Sequence, residues 1–327
     1  MTAADDGSPL LQPGVRKREV WAWAMYDFAN SGYTTVVLTA VFNAYFVGVV
    51  AGNAEWATFA WTAALGASNV LVMLLMPALG AYADLHAAKK RLLAVATVGC
   101  VAATALLSRA GPGDLILAVT AVILSNLFYA MGESLIAAFL PELARPKAMG
   151  TVSGWGWSFG YFGGMLSLGI CLAWVLSAQA RGESASSFVP VTMLITAALY
   201  ALAACPTFLL LRERAQPQGG RERASWRASF ARLARTWRDM RRMRDFAWLL
   251  ACGASYQAGI TVVIALAAVY AEQVLGFKQA ETMVLVFLVN IASAVGAFGF
   301  GYGQDRIGHR AALALTLVGW MVMVGLA

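Results

Sequence analysis

Charged residues are scarce in this sequence of 327 residues, since Asp, Glu, Lys and Arg make up only 13% of it. Soluble domains carry about 25% charged residues, and too few are present here to build a water-exposed surface. Apolar residues make up 60% and occur in long blocks. A helix needs roughly 20 such residues to cross a bilayer. The composition therefore excludes a soluble protein and predicts an all-α integral membrane protein.

Histidine and cysteine are also rare. The two histidines fall in predicted loops, and the four cysteines lie far apart inside predicted spans: His86, His309, Cys100, Cys171, Cys205 and Cys252. This spacing predicts neither a zinc site nor a disulfide. The sequence has no H-E-x-x-H and no G-x-S-x-G motif. We therefore expect no enzymatic activity, no metal and no cofactor.

Apolar blocks separated by Gly, Pro or charged residues predict nine membrane spans. Six are expected at about Val20 to Val50, Trp56 to Tyr82, Lys90 to Leu107, Leu115 to Leu140, Ser153 to Leu176 and Phe188 to Leu211. After a polar segment, three more are expected at about Phe246 to Tyr270, Thr282 to Tyr302 and from Ala311 onward. Because the last block is still apolar at Ala327, we expect the sequence to be incomplete. The predicted division is a tail (1–19), a six-helix bundle (20–211), a linker (212–245) and a partial second bundle (246–327).

Basic residues are distributed very unequally between the loops. On the predicted spans, 21 of the 24 Lys and Arg residues fall on one side of the membrane. Basic loops remain cytoplasmic, so the N-terminus and the linker are expected in the cytoplasm. We expect a monomer in the cell membrane, specifically the bacterial inner membrane.

The predicted linker holds eleven arginines between Arg212 and Arg244. Apolar residues recur among them at the spacing of one helical face: Trp226, Phe230, Leu233, Trp237 and Met240. This pattern predicts a basic amphipathic helix that binds anionic lipid. A solvated linker that only retains positive charge is the alternative, and nucleic acid binding is not expected.

A short pattern recurs in the loops after the second and the eighth predicted spans, where both copies read G-x-x-x-D followed by basic residues. Glycine permits close helix approach, and the acid can meet a helix N-terminus or a basic partner across an interface in one conformation only. We name these the first and second latch loops. Their candidate residues are Gly80, Asp84, Lys89, Lys90 and Arg91 in the first and Gly301, Asp305, Arg306, Gly308 and Arg310 in the second. An ordinary helix-end turn with retained positive charge is the alternative.

The second latch loop, G-x-x-x-D-R-x-G-x-R, resembles the signature loop of the major facilitator superfamily at every fixed position. The first departs from it at Leu85 and Ala87, where Arg and Gly are usual. Two further segments resemble the vacuolar-effluxer-like branch, whose fungal members are autophagy-related amino-acid effluxers. They are Y-D-F-A-N-S-G-Y at 26–33, and F-L-P-E-L-A at 139–144 followed by V-S-G-W-G-W at 152–157.

This resemblance implies the major facilitator fold of two six-helix bundles, with the sequence covering the first bundle and about half of the second. It implies a secondary transporter that works by alternating access and moves a small solute, with export of amino acids as the expectation. A broad-specificity solute or drug exporter is one alternative. A truncated, non-transporting remnant or scaffold is another.

Ionisable residues inside predicted spans are costly and therefore candidates for function. One polar stripe is predicted on the first span and one on the fourth, with residues Asp27, Asn30 and Thr34, and Asn126, Tyr129 and Glu133. The resemblance implies that these two helices line a central cavity. We hypothesise that Asp27 or Glu133 binds a proton or a substrate amino group. The alternative is that each acid caps a helix or pairs near the cytoplasmic boundary.

Weaker candidates for the second half of the cavity are Tyr256, Gln257 and Asn290, which interhelical hydrogen bonding explains equally well. The repeat of Gly156, Gly160 and Gly164 predicts tight helix packing by the fifth span.

Overall fold

A computed structural model of the chain describes residues 10–215, 238, 243–273, 275–276 and 279–326. These ranges are almost entirely helical and contain nine long helices and two short ones. Their bounds are α1 Lys17–Tyr33, α2 Phe42–Tyr45, α3 Ala57–His86, α4 Lys89–Leu107, α5 Leu115–Ala137, α6 Leu140–Leu143, α7 Met149–Ala180, α8 Ala185–Leu210, α9 Arg244–Gln273, α10 Gln279–Ile307 and α11 His309–Leu326.

Every predicted span corresponds to a long helix. Seven described segments are long and apolar enough to cross a membrane: Lys17–Val50, Ala57–His86, Lys89–Leu107, Leu115–Leu143, Pro146–Ala180, Ala185–Leu210 and His309–Leu326. The remaining two, α9 and α10, contain 30 and 29 residues. At 1.5 Å per residue each is about 45 Å long, which exceeds the roughly 30 Å hydrocarbon core. The all-α membrane fold is therefore confirmed.

The first span is not a regular helix. After α1 the chain continues as a π-helix over Thr34–Ala40 and, beyond α2, as a second π-helix over Phe46–Val50. The wider turn is visible in the hydrogen bond from the Val41 N–H to the Val36 carbonyl, five residues earlier. Residues 34–37 are all β-branched, and such side chains are restricted in a regular α-helix. The predicted span at about Val20 to Val50 is confirmed, and its two π-helical segments were not predicted.

The helices from α1 to α8 form one bundle with α1 near its centre. α1 packs against α7 and α8, while α4 packs against α5 and α8. The rings of Tyr26 and Tyr33 are fully buried in this core, and the Tyr33 hydroxyl donates to Ser125 Oγ at 2.8 Å. The outer faces of the helices carry exposed Leu, Val, Ile and Phe side chains. Such faces suit contact with lipid.

The helices after the linker contact the first bundle chiefly through α10. The most extensive contact between the two halves is that of α10 with α7, and α9 and α11 each pack against α10. The packing of α10 on α7 therefore sets how the helices after the linker lie against the first bundle.

The predicted amphipathic helix of the linker, with Trp226, Phe230, Leu233, Trp237 and Met240, lies outside the described residues. The part of the N-terminal tail that is described docks on the turn between α6 and α7. There the Gln12 N–H donates to the Leu143 carbonyl at 2.9 Å, and Arg145 Nε donates to the Leu11 carbonyl at 2.7 Å.

Candidate functional site

A cavity of about 640 Å³ lies between the two halves of the molecule. α1 with its π-helical continuation, α5 and α7 form one wall, and α9, α10 and α11 form the other. Sites for small molecules typically have volumes of about 300–1,000 Å³. The cavity is therefore large enough for a small solute.

Two carboxylates face this cavity, Asp27 from α1 and Glu133 from α5. Tyr129, one helical turn before Glu133 on α5, lies on the same wall. Among the ion pairs of the described ranges, none involves either acid. The first polar stripe thus lies on the cavity wall together with Tyr129 and Glu133 of the second stripe. Pairing of these acids with a basic residue is not observed in the described part of the chain.

α7 approaches α1 closely behind Asp27. A Cβ atom on Gly156 would lie 2.6 Å from a carboxylate oxygen of Asp27. Cβ atoms on Gly160 and Gly164 would lie 2.9 and 2.8 Å from side-chain hydroxyls of the first span. Such distances leave no room for a side chain, so the predicted packing role of the glycine repeat is confirmed. The position of Asp27 is held by this helix contact.

Asn30 lies one turn after Asp27, lines the cavity and is buried, with 5% of its surface exposed. The Tyr200 hydroxyl of α8 donates to Asn30 Oδ1 at 2.6 Å, a distance typical of an O–H···O bond. The amide Nδ2 has no partner among the described residues. A buried donor without a partner costs about 1–3 kcal/mol. Its place on a cavity wall indicates a point where a ligand oxygen would bind.

A series of hydroxyl groups orients this amide. The Thr97 hydroxyl donates to the Leu93 carbonyl at 2.7 Å, so the Tyr26 hydroxyl, 2.9 Å from Thr97 Oγ1, donates to Thr97. The oxygen of Tyr26 lies 3.4 Å from the Tyr200 hydroxyl, which makes its shorter bond to Asn30. Tyr200 and Thr97 were not among the predicted site residues, because both are uncharged and lie far along the chain from Asn30.

The π-helix adds three hydroxyl groups to the wall, those of Thr34, Thr35 and Thr39. In a regular α-helix, the side chains of Thr35 and Thr39 would be rotated about the helix axis by about 100° and 140° from that of Thr34. The wider turn brings all three to one side, and Thr39 Oγ1 donates to the Thr34 carbonyl at 3.0 Å. The polar stripe predicted only Thr34. The run of threonines was the available signal for the other two.

Three of the predicted residues do not line the cavity. The Asn126 amide donates to Ser68 Oγ at 3.1 Å and to Asn69 Oδ1 at 3.3 Å, so it joins α5 to α3. The placement of Asn126 beside the cavity is therefore wrong, because at this level α5 faces α3. Tyr256 and Gln257 of α9 also lie away from the cavity lining.

The second wall of the cavity is largely apolar. Asn290 is part of it, as predicted, and Ser293 lies beside it on α10. The other residues of this wall are Val263, Leu285, Val289, Trp320 and Met323. α7 contributes two further aromatic rings, those of Trp157 and Tyr161.

At one end of the cavity, α7 and α10 touch through glycines, at a contact we call the seam. A Cβ on Gly154 would lie 2.6 Å from the Ala297 carbonyl oxygen, and a Cβ on Gly301 would lie 2.7 Å from the Gly150 carbonyl oxygen. Backbone atoms of packed helices cannot move aside, so only glycine permits this approach. The seam therefore holds α7 and α10 in direct backbone contact at this end.

Asp305 of the second latch loop caps the N-terminus of α7 beside the seam. Its two carboxylate oxygens accept the N–H groups of Gly150 at 2.9 Å and Thr151 at 2.7 Å. A helix N-terminus carries unpaired N–H groups and a partial positive charge, which a carboxylate satisfies. Of the two partners that the sequence allowed, the helix N-terminus is the one observed. Arg306 and Arg310 of this loop are exposed.

The first latch loop makes different contacts. Asp84 is exposed and, within the described ranges, forms no hydrogen bond or ion pair. Lys89 Nζ pairs with Glu142 at 3.0 Å, and Lys90 Nζ donates to the Leu211 carbonyl at 2.6 Å. These lysines therefore bind within the first bundle.

The start of the linker completes this cluster. Glu213 accepts the backbone N–H groups of Lys89 at 2.8 Å and Lys90 at 3.1 Å, which caps α4. Arg214 pairs with the buried Glu19 at 2.9 Å. Arg91 is exposed. The end of the bundle that carries this cluster and the seam is named the basic face.

Two helical bundles, an acidic cavity between them and a glycine seam at one end define a membrane transporter of the major facilitator type. The structure of the MFS proton:xylose symporter XylE bound to 6-bromo-6-deoxy-D-glucose is similar, with a TM-score of 0.61. The similarity covers 88% of this chain and 69% of that chain at 14% identity, and it shows the shared fold.

Sequence comparison identifies the family. The family described as "Vacuole effluxer Atg22 like" matches residues 43–326. The chain is also 27% identical over 308 residues to the "Uncharacterized MFS-type transporter YxiO" of Bacillus subtilis (strain 168), which covers 92% of this chain and 71% of that protein. The protein belongs to the Atg22-like family of the major facilitator superfamily.

Proposed function

We propose that this protein is a proton-coupled secondary transporter that exports a small solute by alternating access, with amino acids as the expected class. The observation that carries this proposal is the pair of acids, Asp27 and Glu133, on the wall of a cavity between two bundles. The outward direction follows the description of its family as a vacuole effluxer. The largely apolar and aromatic second wall favours a broad-specificity solute or drug exporter as the second candidate.

The seam supplies a gate for alternating access. In the conformation described, α7 and α10 are in contact at the basic face, and Asp305 bonds the α7 N-terminus. Separation of α10 from α7 would open the cavity at that face and break both hydrogen bonds. Interactions made in only one state shift the population towards it. Asp305 therefore stabilises the state that is closed at the basic face.

The cavity acids supply a site for protons. Besides Asp27, the titratable groups among the described lining residues are Glu133 and Tyr129 of α5 and Tyr161 of α7, all of them neutral or acidic. Two unpaired negative charges within the bilayer cost several kcal/mol. Binding of a proton or of a cationic group lowers this cost. Proton binding and solute binding at the same pair would couple the two fluxes.

The positive-inside rule assigns the basic face to the cytoplasm. The N-terminus and the linker then lie in the cytoplasm of a multi-pass protein of the bacterial inner membrane. Binding of the linker to anionic lipid and a monomeric state remain part of this proposal.

The test is transport by the full-length protein in proteoliposomes. Counterflow of labelled amino acids is measured first, and uphill export is then measured with and without a pH gradient. We expect Asp27→Asn and Glu133→Gln each to abolish the stimulation by the pH gradient, because each removes one proton-binding carboxylate. If both variants retain the stimulation of the wild type, the coupling role assigned to these acids is wrong.

Glu183→Gln is the matched control, since it neutralises a carboxylate outside the cavity. The Arg181 guanidinium donates a hydrogen bond to Glu183 at 2.7 Å and, together with a bond from Ser187, lowers the pKa of this carboxyl group. Glu183 therefore stays ionised at neutral and mildly acidic pH. Its replacement is expected to leave the pH dependence of transport unchanged.

A further inference from the structure

The charged side chains that line the cavity are both acidic. Asp27 and Glu133 contribute two carboxylates, and no Lys, Arg or His is among the described lining residues. Uncompensated charge inside the bilayer is costly. Against the described lining residues, a loaded cavity is therefore neutral only when it holds two positive charges. A free amino acid is a zwitterion and adds none, whereas an amine cation adds one.

Asn30 offers a hydrogen-bond donor beside these carboxylates. Its Oδ1 is occupied by the Tyr200 hydroxyl at 2.6 Å, while Nδ2 is buried and unpaired in the described part of the chain. Asn30 follows Asp27 by three positions, which puts both on one helix face with Cβ atoms about 5–6 Å apart. One small molecule with an amine and a nearby oxygen can bridge this spacing.

Aromatic rings line the cavity around this polar corner. They belong to Tyr129, Trp157 and Tyr161 of the first bundle and Trp320 of α11. The faces of such rings attract cations and pack well against apolar groups. The cavity thus combines acceptors for an ammonium group, one donor for a neutral oxygen and an apolar surface.

Building on the pH-coupled transport proposed above, but replacing free amino acids as the preferred class of solute, we propose that the cavity selects monocationic amines with a neutral hydrogen-bond acceptor close to the ammonium group. Amino-acid amides, amino-acid esters and amino alcohols have this chemistry. The ammonium group binds between Asp27 and Glu133, and the neutral oxygen accepts a hydrogen bond from Asn30 Nδ2.

Charge balance explains the preference. With a monocationic amine bound, one carboxylate is neutralised by the ammonium group and the other by one proton. Entry of the amine into a doubly protonated cavity therefore releases one proton, which gives an electroneutral exchange of one amine cation for one proton. A bound zwitterion requires two protons, and its own carboxylate has no cationic partner among the described lining residues.

The test is a ladder of ligands that share one apolar body, measured by binding to the purified full-length protein at pH 6.5. The aromatic ladder comprises phenylalanine, phenylalaninamide, phenylalaninol, phenethylamine and 3-phenylpropanamide, and the aliphatic ladder comprises the five equivalent compounds with the leucine side chain.

We expect the amino amide and the amino alcohol to bind at least about tenfold more tightly than the free amino acid, because the zwitterion adds no net charge. The amine without oxygen should bind about three- to tenfold more weakly than the amino amide, which corresponds to one lost hydrogen bond. The amide without an amine should not bind.

Asn30→Leu and Asn126→Leu form a matched pair of variants. Asn30→Leu should remove the advantage of the amino amide over the simple amine, whereas Asn126→Leu, away from the cavity, should retain it. A ratio of affinities is insensitive to the fraction of folded protein, and the wild-type ladder decides the question if a variant does not fold.

Three outcomes would overturn the inference. They are equal or tighter binding of the free amino acid, an amide-to-amine ratio that Asn30→Leu leaves unchanged, and no binding of either ladder by a protein that exports another solute against a pH gradient. In the last case the proposed transport function would stand. Binding of the ladder without any pH-driven flux in proteoliposomes would instead contradict the transport function.

Discussion

The two latch loops share a sequence pattern and a backbone form but differ in what they contact. Each joins two long helices through a residue with positive φ, Ala87 at 47° in the first and Gly308 at 86° in the second. The acid of the second loop, Asp305, caps α7 across the interface, whereas the acid of the first, Asp84, is exposed.

The glycines of the two loops differ in the same way. A Cβ on Gly301 would lie 2.7 Å from the backbone of α7, whereas a Cβ on Gly80 would meet nothing within 4 Å. The pattern therefore specifies a helix-turn-helix connection, and the surface opposite determines its role. In the described structure the second loop holds the two halves together, and the first serves its own bundle and the start of the linker.

The largest difference between the two loops is expected in how far Asp305→Asn and Asp84→Asn increase the population in which α7 and α10 are separated. Asp305→Asn removes the charge and one of two acceptors at a helix N-terminus, which costs the closed state about 2 kcal/mol, or about 30-fold in its ratio to the open state. Spin labels at Lys147→Cys and Arg306→Cys, both exposed, report the separation of α7 and α10. Asp84→Asn should leave the distance distribution unchanged. Equal shifts in both variants would remove the distinction between the loops.

A smaller difference between the two loops is expected from Gly301→Ala, which should separate α7 from α10, and Gly80→Ala, which should not. The new methyl group at Gly301 meets backbone atoms of α7, and such overpacking costs about 1–3 kcal/mol. The same pair of spin labels should report about tenfold more of the separated state. At Gly80 the methyl group enters open space and helix propensity rises, so the protein should be slightly more stable. A wild-type distance distribution in Gly301→Ala would show that α7 and α10 tolerate a wider separation while closed.

The smallest effects are expected at the two residues with positive φ, Ala87 and Gly308, where substitutions should change the free energy of unfolding in opposite directions. Ala87→Gly relieves a left-handed conformation and should raise the free energy of unfolding by about 0.5–1 kcal/mol. Gly308→Ala creates the same strain in the other loop and should lower it by about 1 kcal/mol. Thermal unfolding of both variants in one detergent measures the two changes. Changes of the same sign would mean that the two turns differ in backbone form.

Hydropathy and charge predicted the extent of the helices well, because membrane thickness fixes how long an apolar block must be. Helical spacing also predicted that Asp27, Asn30 and Thr34 share one face of the first span. It did not predict the π-helix, because periodicity analysis assumes a regular helix and so misses a run of β-branched residues.

The failures at the site have a common cause, since spacing along one helix does not say which neighbour a residue faces. Asn126 lies two turns from Glu133, but at that level α5 meets α3, and the amide bonds Ser68 and Asn69 there. Tyr200 could not be found because its partner, Asn30, is 170 residues away. For Asp305 the sequence indicated a helix N-terminus or a basic partner, and only the packing of α7 on α10 identified which.

A reversible cross-link across the seam tests most directly whether α7 and α10 must separate during transport. Trp155 and Tyr302 face each other there, with ring centroids 6.5 Å apart. Cys replaces both residues after the exposed Cys205 and Cys252 are changed to Ser. Oxidation to the disulfide should abolish export in proteoliposomes, and reduction should restore it. Undiminished export with the disulfide fully formed would show that the seam is not the gate.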